Sequence, residues 1–427
     1  MQPSQGHSSP PKRRLGSFCQ PIFFAALIPL SGYTQTLLVG GGATFPYPIY
    51  ARWISEYQKL HPDVEIQYDA LGSGAGIKEI TAGVFDFAGS DAPMDNAELN
   101  EYRAKRGVGI LHFPTVIGAD VPIHNIPGVN VELKFTPEVL VGIYLGEITR
   151  WNDQALTKVN PDANLPNREI VVAYRSDGSG TTYIWTDYLS KVSEKWDSEI
   201  GFGTTVPWPV GVGGHGNNGV AGLVKQTPYS IGYVELAYAI SNKLTQGRVQ
   251  NKEGEFVKAS LESVTAAAAE YAQDMPESFR VSITDAPGRL AYPISSFTWL
   301  LVPEKLNDKN KLASLRDFLK WALTDGQKLT DELMYAPLPA AVIAREEKIL
   351  SMLQRSPYVR STRHLSGQSC FCHRFANVWP VPTNNICVRP TPVWRRTSLL
   401  NISILWPSPI RCAISCAARL WPRKESG

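Results

Sequence analysis

Ile170-Val171-Val172-Ala173-Tyr174 runs directly into Arg175-Ser176-Asp177-Gly178-Ser179-Gly180-Thr181-Thr182. The first five residues form an apolar run of strand length. The next eight are rich in glycine and hydroxyls. From Thr181 to Lys191, Ile184, Trp185, Tyr188 and Leu189 then recur at helical spacing. Strand, tight turn and helix together make the building unit of an α/β fold.

The same grammar recurs upstream. Gly40-Gly41-Gly42-Ala43-Thr44-Phe45-Pro46 precedes a helix expected from Pro48 to Leu60, with Ile49, Tyr50, Trp53, Tyr57 and Leu60 on its apolar face. Val64 to Asp69 alternates apolar and polar residues as a half-buried strand does. Leu71-Gly72-Ser73-Gly74-Ala75-Gly76 follows that strand and opens a short helix from Gly76 to Gly83. Phe87-Ala88-Gly89-Ser90-Asp91-Ala92-Pro93 is a small-residue turn carrying one carboxylate. A longer helix is expected from Leu312 to Leu329, and no internal repeat is evident.

Three of these four segments lead a strand into a helix. A helix N-terminus presents backbone N–H groups without intrahelical acceptors and a partial positive charge, which suits an anion. Glycine lets the backbone approach closely, and Thr44, Ser73, Ser179 and Thr181 can cap their helices or turn hydroxyls to a ligand. Singly, each turn is also an ordinary cap. Asp91 alone reads as a turn-capping carboxylate, and Arg175 as half of a surface ion pair with Asp177. Several common chemistries fail on spacing: position 77 is Ile where a Walker A loop from Gly72 to Lys78 requires Gly, and neither G-x-S-x-G nor HExxH occurs. His61, His112, His124 and His215 are scattered and read as surface or packing residues.

The chain has 427 residues and a net charge of only +3, too small to suggest a nucleic-acid partner. From Ser361 onward there are nine Arg and Lys against a single acid, Glu425, so the remainder is slightly acidic. All six cysteines (Cys19, Cys370, Cys372, Cys387, Cys412 and Cys416) lie outside residues 37–360, so the body needs no disulfide framework. Residues 1–36 read as an export leader: Lys12, Arg13 and Arg14 precede an apolar stretch from Phe18 to Leu30. Residues 356–427 carry Pro, Arg, Trp and Cys without period and read as an unstructured, non-native tail. The spacing of Cys370, Cys372, His373 and Cys387 does not match paired zinc motifs, and no metal site is expected.

At these segments the sequence resembles the periplasmic phosphate-binding proteins of bacterial phosphate ABC transporters. The resemblance runs from about Thr36 to about Glu347. It also takes in Phe-Pro-Thr-Val-Ile-Gly at 113–118, Ile-Tyr-Leu-Gly at 143–146, Gly-Gly-His-Gly-Asn at 213–217 and Ile-Gly-Tyr-Val-Glu at 231–235. It implies a type II periplasmic-binding-protein fold of two α/β lobes joined by two hinge strands. Residues 37–114 and 294–355 would form one lobe and residues 115–293 the other. It implies an inorganic phosphate ligand held by Thr44, Phe45, Ser73, Arg175, Ser179, Gly180 and Thr181. Asp177 would support Arg175, and Asp91 would accept the proton that phosphate carries.

A periplasmic or secreted monomer follows, serving the membrane permease of an ABC importer, with no cofactor and no catalysis. Two other readings keep the fold: a secreted phosphate scavenger or signalling protein without a transporter, and a receptor for sulfate, molybdate or tungstate, which Asp91 argues against. A secreted phosphatase would need a metal cluster or activated nucleophile, and the sequence offers neither.

Overall fold

The computed structural model describes residues 35–353 except residue 130. The tail at 356–427, all six cysteines and all but the last two residues of the leader lie outside the described residues.

Strand β1 (Thr36–Gly42) leads into helix α1 (Tyr47–Leu60), followed by β2 (Val64–Ala70), α2 (Ser73–Ala82) and β3 (Phe87–Ser90). The long strand β4 covers Ile110–Asn125. Further along come β5 (Val171–Arg175), α3 (Gly180–Val192), β6 (Val212–Gly214), α4 (Gly216–Gln226) and β7 (Ser230–Glu235). Then β8 (Ser295–Pro303) precedes α5 (Lys309–Ala322).

One sheet runs in the order β2-β1-β3-β8-β4-β7-β5-β6. The β2-β1-β3 and β7-β5-β6 groups are parallel, as strand-turn-helix repeats require. Between them β8 and β4 are antiparallel to their neighbours. Strand β4 joins the two groups. Its residues Ile110 to Ala119 pair with β8, and from Asp120 to Asn125 it pairs with β7, with Asp120 opposite Glu235. Every residue of β8 is buried, and all of β4 from His112 to His124 is buried, the pattern of strands covered on both faces.

The expected helices are present, with shifted ends. Helix α1 buries Ile49, Tyr50, Trp53 and Tyr57, but Leu60, at its last position, is exposed. Helix α2 begins at Ser73, three residues earlier than expected, and ends at Gly83 in the left-handed region. Helix α5 stops at Ala322, and Gly326–Leu329 forms a separate 3₁₀ turn. The interruption has a packing cause: the Trp53 indole N–H donates to the Gly326 carbonyl at 2.8 Å, and a Cβ at Gly326 would lie 3.2 Å from the Trp53 ring. No described helix is long and apolar enough to cross a membrane.

Candidate functional site

The turns after β1, β2 and β5 converge at the ends of their strands. The turn after β2 meets the turn after β5 backbone to backbone, with the Gly74 N–H donating to the Gly178 carbonyl at 2.9 Å. Gly72 has φ +98, and a Cβ there would lie 2.5 Å from Asp177 Oδ2, so both conformation and space demand glycine.

The carboxylate of Asp91, just past β3, is 1% exposed. Thr298 Oγ1, from β8, donates to its Oδ1 at 2.6 Å, and Ser73 Oγ donates to its Oδ2 at 3.3 Å. The Asp91 N–H returns a bond to Ser73 Oγ at 3.1 Å. Burial pushes the Asp91 carboxyl up to about 7, against the hydrogen bond from Thr298, the charge of Arg175 and the bond from Ser73.

Arg175 ends β5. Its side chain is 1% exposed, so the pair with Asp177 is no surface ion pair. Nε donates to Asp177 Oδ1 at 2.9 Å and Nη2 to Oδ2 at 2.5 Å, a bidentate fork. Nη1 donates to Thr181 Oγ1 at 3.0 Å. Burial pushes the Asp177 carboxyl up, but the Arg175 hydrogen bonds and charge and the Gly216 N–H outweigh it and hold it below its usual value. Three bonds, two to Asp177 and one to Thr181, engage three of the five guanidinium N–H groups, leaving donors to spare.

Ser179 caps α3, its Oγ accepting from the Thr182 N–H at 3.0 Å. Gly180 and Thr181 therefore occupy the first helical positions, whose N–H groups have no intrahelical acceptor. A Cβ at Gly180 would overlap Asp91 Oδ2 and Ser73 Oγ, so the α3 terminus faces Asp91 directly. From the other side, Tyr238 OH donates to the Thr44 carbonyl at 2.6 Å and Tyr335 OH to the Phe45 carbonyl at 2.6 Å. These bonds pin the chain just ahead of α1.

Ser73, Asp91, Arg175, Asp177, Ser179, Gly180 and Thr181 are thus brought together, and Thr44 joins them through Asn217, whose amide bonds both Thr44 and Thr181; Phe45 follows Thr44 in the chain. The groups gathered here are buried and rich in donors: helix-start N–H groups, threonine hydroxyls and a guanidinium. Among the nominated site residues, the only carboxylate not engaged by Arg175 is Asp91. Such a set accommodates an oxyanion that keeps a proton of its own.

A family model for the PBP superfamily domain matches residues 29–326. The phosphate-binding protein PstS of Pasteurella multocida is 43% identical over 317 residues, 74% of this chain and 90% of that protein. The chain belongs to the PstS family of phosphate-binding proteins. Another member, from Xylella fastidiosa, is 41% identical over 75% of this chain and 86% of its own length. Among solved structures, a phosphate-binding protein from Stenotrophomonas maltophilia superposes with a TM-score of 0.54 at 21% identity, over 72% of this chain and 92% of that one. The architecture is accordingly the two-lobed α/β fold of the periplasmic binding proteins.

Several residues that contact the nominated site residues escape sequence reasoning. Thr298 lies more than 200 residues from Asp91 in a uniformly buried strand, and nothing local signals it. Tyr238 and Tyr335 look like core aromatics. Asn217 sits in a Gly-Gly-His-Gly-Asn run that suggests a strand-to-helix turn without assigning the Asn a task.

Proposed function

We propose that this chain binds inorganic phosphate in the cleft between its two lobes and delivers it unchanged to the membrane permease of an ABC importer. The observation that carries the reading is the pairing of donors from three converging turns with one buried acceptor, Asp91. Thr44 and Phe45 would donate from the approach to α1, Ser73 from α2, and Ser179, Gly180 and Thr181 from α3. Arg175, held by Asp177, supplies the positive charge. Residues 37–114 and 294–355 form one lobe and 115–293 the other, with β4 and the segment entering β8 as hinge strands.

Sulfate matches phosphate in shape but has no proton near neutral pH. It would set its oxygens against the Asp91 carboxylate with no hydrogen between them, an uncompensated buried charge. A site built around a ligand's donor rejects the analogue lacking it by about 10⁴–10⁵-fold. The protein works as a periplasmic or secreted monomer without cofactor or catalysis. Its relatives carry the name of phosphate-binding proteins, which supports that reading. The test is competition: radiolabelled phosphate bound to the full chain should resist an excess of sulfate, and equal displacement by sulfate and unlabelled phosphate would reject the reading.

A further inference from the structure

Asn217 is fully buried in the first turn of α4. Two close approaches fix that turn. The Gly216 N–H donates to Asp177 Oδ1 at 2.9 Å, and the backbones of Gly214 and Gly219 pack so tightly that a Cβ at Gly214 would lie 2.8 Å from the Gly219 carbonyl carbon. The Asn217 side chain makes three hydrogen bonds. Its Oδ1 accepts from the Glu235 N–H at 2.9 Å. Its Nδ2 donates to Thr44 Oγ1 at 2.9 Å and to Thr181 Oγ1 at 3.1 Å.

The amide orientation is not free. A main-chain N–H can only donate, so the oxygen faces Glu235 and the NH₂ group faces the two threonines. That choice sets the direction of both hydroxyls. Thr181 Oγ1 already accepts from Arg175 Nη1, so with Asn217 both its lone pairs are filled and its hydrogen is left to donate. Thr44 Oγ1 likewise accepts from Asn217 and keeps its hydrogen for another partner. The two threonines come from opposite sides of the cleft, one following β1 and the other in α3.

We propose that Asn217 is a positioning residue for the anion site: it commits the Thr44 and Thr181 hydroxyls to act as donors and joins them only when the cleft is closed. The inference rests on the phosphate reading and deepens it by assigning the Gly-Gly-His-Gly-Asn run a task. A carboxylate at position 217 keeps the Glu235 contact and the side-chain shape but turns the NH₂ donor into an acceptor. The threonine hydroxyls would then point at residue 217 and away from the ligand.

The experiment is calorimetric titration of the full chain with inorganic phosphate, with melting temperatures taken in phosphate-free buffer. Asn217→Asp should melt near the wild type and bind phosphate at least about 100-fold more weakly, since a charge-assisted site loses two donors at once. Asn217→Ala should cost about 30-fold in the wild type but under about threefold on a Thr44→Val/Thr181→Val background, because the hydroxyls through which it acts are gone. Asn217→Asp binding within threefold of wild type, or Asn217→Ala costing the same on both backgrounds, would overturn the proposal. A wild-type chain that binds no phosphate would instead overturn the functional reading beneath it.

Discussion

Asp91 is where chemistry and stability meet. Its carboxyl is held by Thr298 and Ser73 and lies within reach of the charge of Arg175, yet burial dominates and lifts it from 3.8 to about 7. Between those two values the folded chain binds more protons at this site than the unfolded chain does. Stability of the phosphate-free protein therefore falls as pH rises from about 4 to about 7. The full swing corresponds to about 4 kcal/mol at 1.36 kcal/mol per pH unit. Asp120 and Glu235, raised chiefly by burial, push in the same direction. Urea unfolding at pH 5 and pH 8 should show the loss, and Asp91→Asn should make the slope shallower. An unchanged slope in that variant would place the titration elsewhere. The same substitution supplies an amide donor where only an acceptor stood. Sulfate binding, which the parent is expected to lack, should then become measurable by calorimetry; continued exclusion of sulfate would remove Asp91 from a role in specificity.

At the scale of the element, the N-terminus of α3 has two separable tasks. Ser179 caps it through the Thr182 N–H, so Ser179→Ala should lower stability by about 1 kcal/mol in chemical denaturation, the usual worth of such a cap. Gly180 instead leaves space, because a Cβ would strike Asp91 and Ser73 across the cleft. Gly180→Ala should leave the melting temperature of the phosphate-free chain nearly unchanged while weakening phosphate binding by about 5- to 150-fold, since an overpacked contact of about 1–3 kcal/mol opposes closure. These elements were also the legible part of the chain. The apolar strand Ile170–Tyr174 and the Gly-Ser-Gly-Thr turn announce β5 and α3 through periodicity and glycine. Helix ends are less legible, because tertiary contacts decide them: α5 stops before Gly326 for the sake of Trp53, and periodicity alone runs on to Leu329.

Over the whole molecule, legibility follows sequence distance. The turns that surround Asp91 each carry a local signature, and their joint reading as an anion site needs no long-range information. Thr298, Tyr238 and Tyr335 reach the site from segments whose local pattern says only that they are buried. The pairing change in β4 between Ala119 and Asp120 is equally silent, since a strand buried throughout has no alternation to mark where its partner changes. Bonds from Gly74 to Gly178 and from Asn217 to Thr44 hold the two sides of the cleft together in this closed arrangement. On the proposed reading, this closure is selective for an oxyanion bearing a proton. Its most direct test is calorimetric titration of the full chain at neutral pH, first with phosphate and then with sulfate. Tight one-to-one binding of phosphate with no heat from sulfate is the predicted result. Equal binding of the two anions, or no phosphate binding by a folded chain, would contradict it.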